Sequence, residues 1–157
     1  MRLRAKLPLD RYVAGTLWIE DDTGITFGPV RARGEADNRN AASQDNIVED
    51  PTKVGGDHPA GTYLATEVVI IPIPNDTYGP YFIRLDPQSG EAHEAKQNGR
   101  TGIGIHGGRL HPDGRLRETF GCLRIDDGNL LIIASMLRME MARGRRVEYV
   151  CEVNDAA

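Results

Sequence analysis

The sequence contains little cysteine, few aromatic residues and no long apolar run. Its two cysteines, Cys122 and Cys151, are too few for a disulfide scaffold. Its four histidines are scattered and no Cys/His cluster has zinc-finger spacing, so we expect no metal site. No apolar run approaches the roughly 20 residues that a membrane-spanning helix needs. These shortages argue against a disulfide-rich, a zinc-finger and a membrane-spanning protein.

The net charge, the first residues and the chain length restrict the class of protein further. The formal net charge of −4 argues against a nucleic-acid partner or an anionic membrane surface. The first 20 residues begin with basic side chains but lack the apolar core of a secretory signal, so we predict no signal peptide. A chain of 157 residues has the usual size of one domain, and we predict a single catalytic domain over residues 1–157.

Turn-forming residues are abundant, with 18 glycines and nine prolines. The segments GTLWIE and ITFGPV flank the polar stretch DDTG, which predicts a β-hairpin. Residues 31–61 are polar and rich in helix and strand breakers, which predicts a long ordered loop with one short helix. Loops of this length inside a compact domain are usually functional or mobile.

The remaining patterns predict a mainly β chain with one long helix. Strands are expected over residues 62–73, in YFIRLDP, in GIGIH and over residues 146–153. The helix follows the cysteine segment, with Asp126 or Asp127 as its N-cap and Gly144 at its end. Its apolar face has helical spacing and consists of Leu130, Ile133, Ala134, Leu137 and Met141.

A histidine and a cysteine, each next to glycine, are the strongest candidates for chemistry. An isolated thiol has a pKa near ~8.5 and is a weak nucleophile at neutral pH until a base accepts its proton. Cys122 would be the nucleophile and His106 the base, while Gly121 would leave backbone N–H groups open to a developing oxyanion. The spacing alone does not bring the two side chains together, and a small buried cysteine after a turn is the alternative.

Arg124 stands two residues after Cys122. In an extended segment the two side chains point to the same face, where Arg124 could bind a substrate carboxylate in a bidentate manner. Two other histidines, His58 and His111, lie in turn sequences and are interpreted as exposed to solvent. Cys151 lies in an alternating strand and is predicted to be part of the core.

Two motifs resemble the L,D-transpeptidase (YkuD) catalytic domain family. The family has a His-Gly pair, a variable spacer and then [Ser/Thr]-x-Gly-Cys, which correspond here to IHGG and TFGCLRI. Upstream, GDHPAGTY resembles the turn that precedes a core strand in many members, and ARGRRVEYV resembles the closing strand. The matching segments run from Gly55 to Val150 in the family's order.

The resemblance implies a mainly β, sandwich-like domain and a thiol acyltransferase that acts on peptidoglycan stem peptides. Cys122 would form an acyl-enzyme with release of a terminal D-amino acid, and an amine or water would then resolve it by cross-linking, exchange or L,D-carboxypeptidase hydrolysis. By the family pattern His106 is the base, the carbonyl of Gly107 orients its ring, and Gly121 and Cys122 form the oxyanion site. No cofactor or metal is implied.

Substrate contacts are expected from residues near the nucleophile and from a neighbouring strand. Arg124 and Thr119 lie in the cysteine motif itself. Tyr81 and Arg84 lie in YFIRLDP, where strand ends beside the site would hold the stem peptide. The alternative for Tyr81 and Arg84 is a packed aromatic and an edge-strand charge.

Departures from the family pattern leave other functions open. Phe120 replaces a frequent histidine, which keeps open a catalytically silent peptidoglycan-binding module. The family's substrate lies in the periplasm or cell envelope, yet no signal is visible. A secreted interbacterial effector, paired with an immunity protein, is therefore an alternative setting for the same chemistry. A cysteine hydrolase acting on unrelated cytosolic peptides is a third hypothesis.

Overall fold

A computed structural model of the protein describes residues 1–155, which contain eight strands and three helices. The strands are β1 (Arg2–Leu7), β2 (Gly15–Asp21), β3 (Gly24–Ala32), β4 (Gly61–Asn75), β5 (Gly79–Pro87), β6 (Gly104–His106), β7 (Leu123–Arg124) and β8 (Val147–Val153). The helices are α1 (Asn38–Ser43), α2 (Gly90–Gln97) and α3 (Asp127–Ala142).

All eight strands belong to one hydrogen-bonded sheet with the order β3-β2-β1-β8-β4-β5-β6-β7. The pairs β1–β8 and β6–β7 are parallel, and the other neighbours are antiparallel. The predicted mainly β class, with one long helix after the cysteine segment, is confirmed. The IHGG and TFGCLRI motifs fall at the β6–β7 edge of this sheet.

Local sequence signals account for the hairpin and the long helix. Strands β2 and β3 pair across the short turn at residues 22–23, as the sequence predicts. The N-cap of α3 is Asp126, whose side chain accepts a hydrogen bond from the N–H of Asn129 at 3.0 Å. The helix ends before Gly144, which has a φ of 73°. Four of the five predicted apolar positions of α3 are buried, and Met141 packs at the edge of the core.

The first strand was not among the predicted elements. Strand β1 alternates basic and apolar side chains, and it joins β2 on one side and β8 on the other. Its apolar residues Leu3, Ala5 and Leu7 are buried in the core, which also takes in Tyr149 and Cys151 of β8. The two ends of the described chain are therefore neighbours in the centre of the sheet.

The long segment between β3 and β4 is ordered by polar contacts and contains the predicted short helix, α1. Asp37 caps α1, and Asn46 donates to the carbonyl of Asp50 while accepting from its N–H. The segment reaches the cysteine turn through a parallel bridge between Ala36 and Thr119. Within residues 1–155 no helix has the length and apolarity needed to span a bilayer.

Candidate active site

Strand pairing places His106, Cys122 and Arg124 on one face of the sheet. Strands β6 and β7 run parallel with Ile105 opposite Leu123 and His106 opposite Arg124. Ile105 and Leu123 are fully buried in the core, so the alternating side chains point to the other face. There His106, Cys122 and Arg124 line a pocket of about 820 Å³. The structure thus brings together the histidine and cysteine that sequence spacing left apart.

The ring of His106 is held in one tautomer. Its Nδ1 lies 2.8 Å from the carbonyl oxygen of Gly107. Because a carbonyl only accepts, Nδ1 carries the proton and the neutral ring keeps its lone pair on Nε2. Tyr78 meets the ring edge-on at 5.1 Å, and Phe82 stacks on it at 5.8 Å. This is the orientation that a general base requires, and it is the contact expected for Gly107.

Burial sets the protonation of both partners. It lowers the pKa of His106 to about 4, although the hydrogen bond to Gly107 opposes this shift. Burial also raises the pKa of the Cys122 thiol, while a backbone hydrogen bond from Gly104 and the charges of Arg100 and Arg124 lower it. The resting pair is therefore a neutral imidazole and a protonated thiol.

The thiol of Cys122 is half-buried at the pocket wall and donates to the carbonyl of Gly102, with Sγ 3.4 Å from the oxygen. Among the described residues no hydrogen bond joins the His106 ring to this sulfur. Rotation of the thiol away from Gly102 is thus part of any transfer of its proton to Nε2.

The hydroxyl of Thr119 closes the turn that leads to Cys122. It accepts from the N–H of Gly121 and donates to the carbonyl of Cys122, both at 2.9 Å. This corrects the expectation that Gly121 supplies an oxyanion donor, because its N–H is already occupied. The N–H of Cys122 is the donor that remains. Thr119 lines the pocket but is almost fully buried, and its hydrogen bonds make it part of the turn.

The carbonyl of Gly121 is held from the interior by two side chains that were not among the predicted site residues. Nδ1 of His58 lies 3.1 Å from this oxygen, and Nη2 of Arg100 donates to it at 3.1 Å. The prediction that His58 is exposed to solvent is wrong, since it is 0% exposed. Burial, with the nearby charges of Arg100 and Arg11, lowers the pKa of His58 to about 3, so its ring is neutral.

Arg124 lies in the pocket wall and braces two loops. Its Nη1 donates to the carbonyl of Arg109 at 3.3 Å and its Nη2 to that of Thr77 at 3.0 Å. Its Nε is buried and is one of two buried side-chain nitrogens in residues 1–155 without a hydrogen-bond partner. The guanidinium is therefore positioned by the protein and keeps one donor uncommitted.

The two substrate contacts predicted in YFIRLDP, Tyr81 and Arg84, lie on opposite faces of β5. Arg84 lines the pocket, is largely exposed and pairs with Glu67 at 3.1 Å. Tyr81 packs against the core on the opposite face of β5, which corrects its predicted substrate contact. Phe82 is the aromatic residue of β5 that lines the pocket. Alternation within the strand could have identified it, because Phe82 and Arg84 share a face and Tyr81 does not.

The pocket is cationic although the chain is acidic overall. Arginines outnumber carboxylates in its lining, where the charged residues are Arg84, Arg109, Arg117, Arg124, Asp76 and Glu118. Phe120 stands at its rim with 68% of its surface exposed. Such a lining favours a ligand with carboxylates and some apolar surface. Within residues 1–155 no group of three or more histidine, cysteine, aspartate or glutamate side chains is arranged to hold a metal ion.

The two pKa shifts predict an unusual pH profile for acylation of Cys122. Because the pKa of His106 is about 4 and that of the thiol is raised, the competent neutral pair persists across neutral pH. We expect the rate of acylation by p-nitrophenyl acetate to be nearly constant from about pH 5.5 to about 8, because neither His106 nor Cys122 changes its protonation state in that range. Stopped-flow detection of p-nitrophenolate measures it.

An acid limb centred near ~6.5, the ordinary value for histidine, would contradict this assignment. Circular dichroism at each pH is the control. Both buried histidines have folded-state pKa values below their unfolded values, so their contribution to stability is complete above about pH 6.5 and is lost as the pH falls. Loss of structure must therefore be separated from loss of the base.

Comparison with solved structures identifies the fold. The chain resembles the helical cell shape determining protein Pgp2 from Campylobacter jejuni, with 19% identity, a TM-score of 0.59, and coverage of 98% of this chain and 48% of that one. It also resembles Bd1075 from Bdellovibrio bacteriovorus, with 16% identity, a TM-score of 0.53, and coverage of 96% and 48%. An L,D-transpeptidase from Mycobacterium smegmatis matches at 13% identity and a TM-score of 0.46, over 96% of this chain and 58% of that one.

The comparisons with Pgp2 and Bd1075 show that the chain shares the fold of those two proteins. The chain spans about half the length of Pgp2 and Bd1075. No family model matches the sequence, and no curated protein matches it. At such low identity the likeness concerns the fold alone, so the chemistry must be argued from the pocket itself.

Proposed function

We propose that the protein is a cysteine acyltransferase acting on peptidoglycan stem peptides, as an L,D-transpeptidase or L,D-carboxypeptidase. The proposal depends on one observation, that His106 and Cys122 line the same pocket. The carbonyl of Gly107 fixes the His106 ring so that its lone pair is on Nε2. The fold supports the peptidoglycan assignment, because it is shared with Pgp2, which is named as a determinant of helical cell shape.

The proposed reaction begins from the neutral pair. Nε2 of His106 accepts the thiol proton as Sγ of Cys122 attacks the carbonyl carbon of an L-centre bonded to a terminal D-residue. The C–N bond then breaks, His106 returns the proton to the leaving amine, and a thioester remains on Cys122. The amine of a second stem gives a cross-link, a free D-amino acid gives exchange, and water gives the hydrolysed stem.

The pocket lining suits this substrate. Stem peptides carry several carboxylates, and the arginines Arg84, Arg109, Arg117 and Arg124 supply the opposite charge. Arg124 lies two residues after Cys122 and lines the pocket, so it is the proposed carboxylate contact. Val69, Ile71 and Phe120 add apolar surface at the same pocket.

Incubation with purified disaccharide tetrapeptides, followed by mass spectrometry, tests the proposal. We expect loss of the terminal D-alanine, its exchange for an added D-amino acid, or a cross-linked dimer. Unchanged tetrapeptide from a folded protein would contradict it. Co-sedimentation with intact sacculi in that case would favour the silent binding module, and turnover of peptides that lack D-residues would favour the unrelated cysteine hydrolase.

The proposed site of action is the periplasm or cell envelope, where the stems lie. Expression in a bacterial host with and without a fused export signal tests this. If the protein is an effector, exported protein should arrest growth or round the cells, and the same protein kept in the cytoplasm should not. Rescue by a neighbouring gene product would identify an immunity protein, the partner expected in that setting.

A further inference from the structure

We propose that His58 is a positioning residue that, with Tyr149 and Arg100, holds the Gly121 carbonyl inward and thereby points the N–H of Cys122 at the oxyanion. The inference rests on the proposed function in that it takes Cys122 as the acyl-accepting nucleophile. His58 does not contact substrate in this account, because it is completely buried beneath the turn.

The hydrogen bonds around His58 have a defined direction. Nδ1 lies 3.1 Å from the Gly121 oxygen, which only accepts, so Nδ1 carries the proton. Nε2 must then accept, and its partner at 2.9 Å is the hydroxyl of Tyr149. A chain of donors therefore runs from Tyr149 through His58 to the carbonyl of Gly121. Because the ring is neutral, each of its nitrogens is satisfied by one bond.

The His58 residue is anchored on its other sides as well. Its N–H donates to the carbonyl of Gly34 at 2.8 Å, and its own carbonyl accepts from Arg11 at 2.6 Å. Tyr63 stacks on the ring with a centroid distance of 5.7 Å and an interplanar angle of 6°. The imidazole cannot rotate without breaking several buried contacts, so the position of its hydrogen-bond partner, the Gly121 oxygen, is fixed by more than one interaction.

Because the peptide between Gly121 and Cys122 is planar, fixing the Gly121 carbonyl also fixes the direction of the Cys122 N–H. In a trans peptide the carbonyl of Gly121 and the N–H of Cys122 point to opposite sides of one rigid plane. Drawing the oxygen into the interior therefore turns the N–H outward. Within the described residues the Cys122 N–H donates to no protein acceptor, whereas the Gly121 N–H is bonded to Thr119. A donor with no internal partner beside the nucleophile is what an oxyanion site requires.

A pair of tyrosine variants tests the inference. Tyr149→Phe removes the hydroxyl that donates to His58 and keeps the ring. The matched control is Tyr63→Phe, which removes a neighbouring buried hydroxyl that donates to the carbonyl of Pro59 at 2.5 Å. Each protein is assayed for acylation by p-nitrophenyl acetate, which passes through an oxyanion, and for alkylation by iodoacetamide, which does not.

We expect Tyr149→Phe to slow acylation by about tenfold or more, a fraction of the roughly 10²–10³-fold effect of losing an oxyanion donor. Its alkylation rate should stay within about twofold of the rate of the unsubstituted protein, because alkylation forms no oxyanion. Tyr63→Phe should leave both rates near those of the unsubstituted protein, because its hydroxyl does not donate to His58. An equal fall in acylation and alkylation, or no fall in either, would overturn the inference.

A second measurement uses the unsubstituted protein, so the inference does not depend on the stability of a variant. Nitrogen-15 NMR of the histidine side chains at pH 7 should show His58 neutral with its proton on Nδ1. A proton on Nε2, or a charged ring, would contradict the donor chain. Neither test uses a stem peptide, so both can succeed even if no stem peptide is turned over. Failure of the proposed substrate is therefore distinguishable from failure of this inference.

Discussion

Replacement of Cys122 by alanine is expected to abolish turnover of stem peptides while leaving the fold intact. We expect this because Cys122 is the proposed nucleophile and lines the same pocket as His106, and loss of a catalytic nucleophile lowers kcat by about 10⁴-fold or more. The side chain is half-buried and donates only to Gly102, so its removal costs little stability. Mass analysis of muropeptide products and urea unfolding measure the two effects.

Cys151→Ala is the matched control for this substitution. Cys151 is 2% exposed in β8, and burial raises its pKa to about 12, so it is an inert core thiol. We expect the control to retain activity and to take up iodoacetamide at one site, Cys122. Turnover by the Cys122→Ala protein comparable to that of the control would reject covalent catalysis by this residue.

Gly121→Ala is expected to damage both stability and activity, for a reason that differs from simple access to the oxyanion. Gly121 has a φ of 109°, and an added Cβ would lie 1.9 Å from Nη2 of Arg100 and 2.5 Å from the carbonyl oxygen of Gly56. Relief of these overlaps must move Arg100 or the turn. We expect a loss of about 3 kcal/mol or more in the free energy of unfolding, measured in urea, with a parallel fall in acylation rate.

Gly114→Ala separates backbone strain from collision. Gly114 has a φ of 87°, but an added Cβ would meet nothing within 4 Å. Its substitution should cost only the strain of a left-handed conformation, about 1–2 kcal/mol, and should spare acylation. Similar losses for the two alanine variants would show that the contacts around Gly121 are not what the structure describes.

The contacts of Arg100 explain why a long polar loop is part of this site. Its guanidinium donates to the carbonyls of Pro51, Gly56 and Asp57 in the loop and to that of Gly121 in the cysteine turn. The ordered loop predicted from residues 31–61 is therefore tied to the turn that carries Cys122 through one buried cation. Sequence alone did not single out Arg100, because nothing in its neighbourhood distinguishes it from a surface arginine at the end of α2.

Several features followed from local patterns. The hairpin of β2 and β3, the cap and buried face of α3, and the alternation of β8 each depend on residues close together in the chain. His106 and Cys122 could be recognised for the same reason, because their residue types and the glycines next to them are visible in the sequence. Strand β1 alternates as well, but its basic side chains made the segment resemble a charged terminus.

The amino-acid sequence by itself determined the mainly β class, the position of the long helix and the identity of the candidate nucleophile and base. Only the tertiary structure decided that His106 and Cys122 share a pocket, that Tyr81 faces the core, that Thr119 occupies the Gly121 N–H, and that His58 is buried beneath the turn. The physical reason is that these facts depend on pairing and hydrogen bonds between segments far apart in the chain, such as His58 with Gly121 and Tyr149, which leave no periodic signal in the sequence.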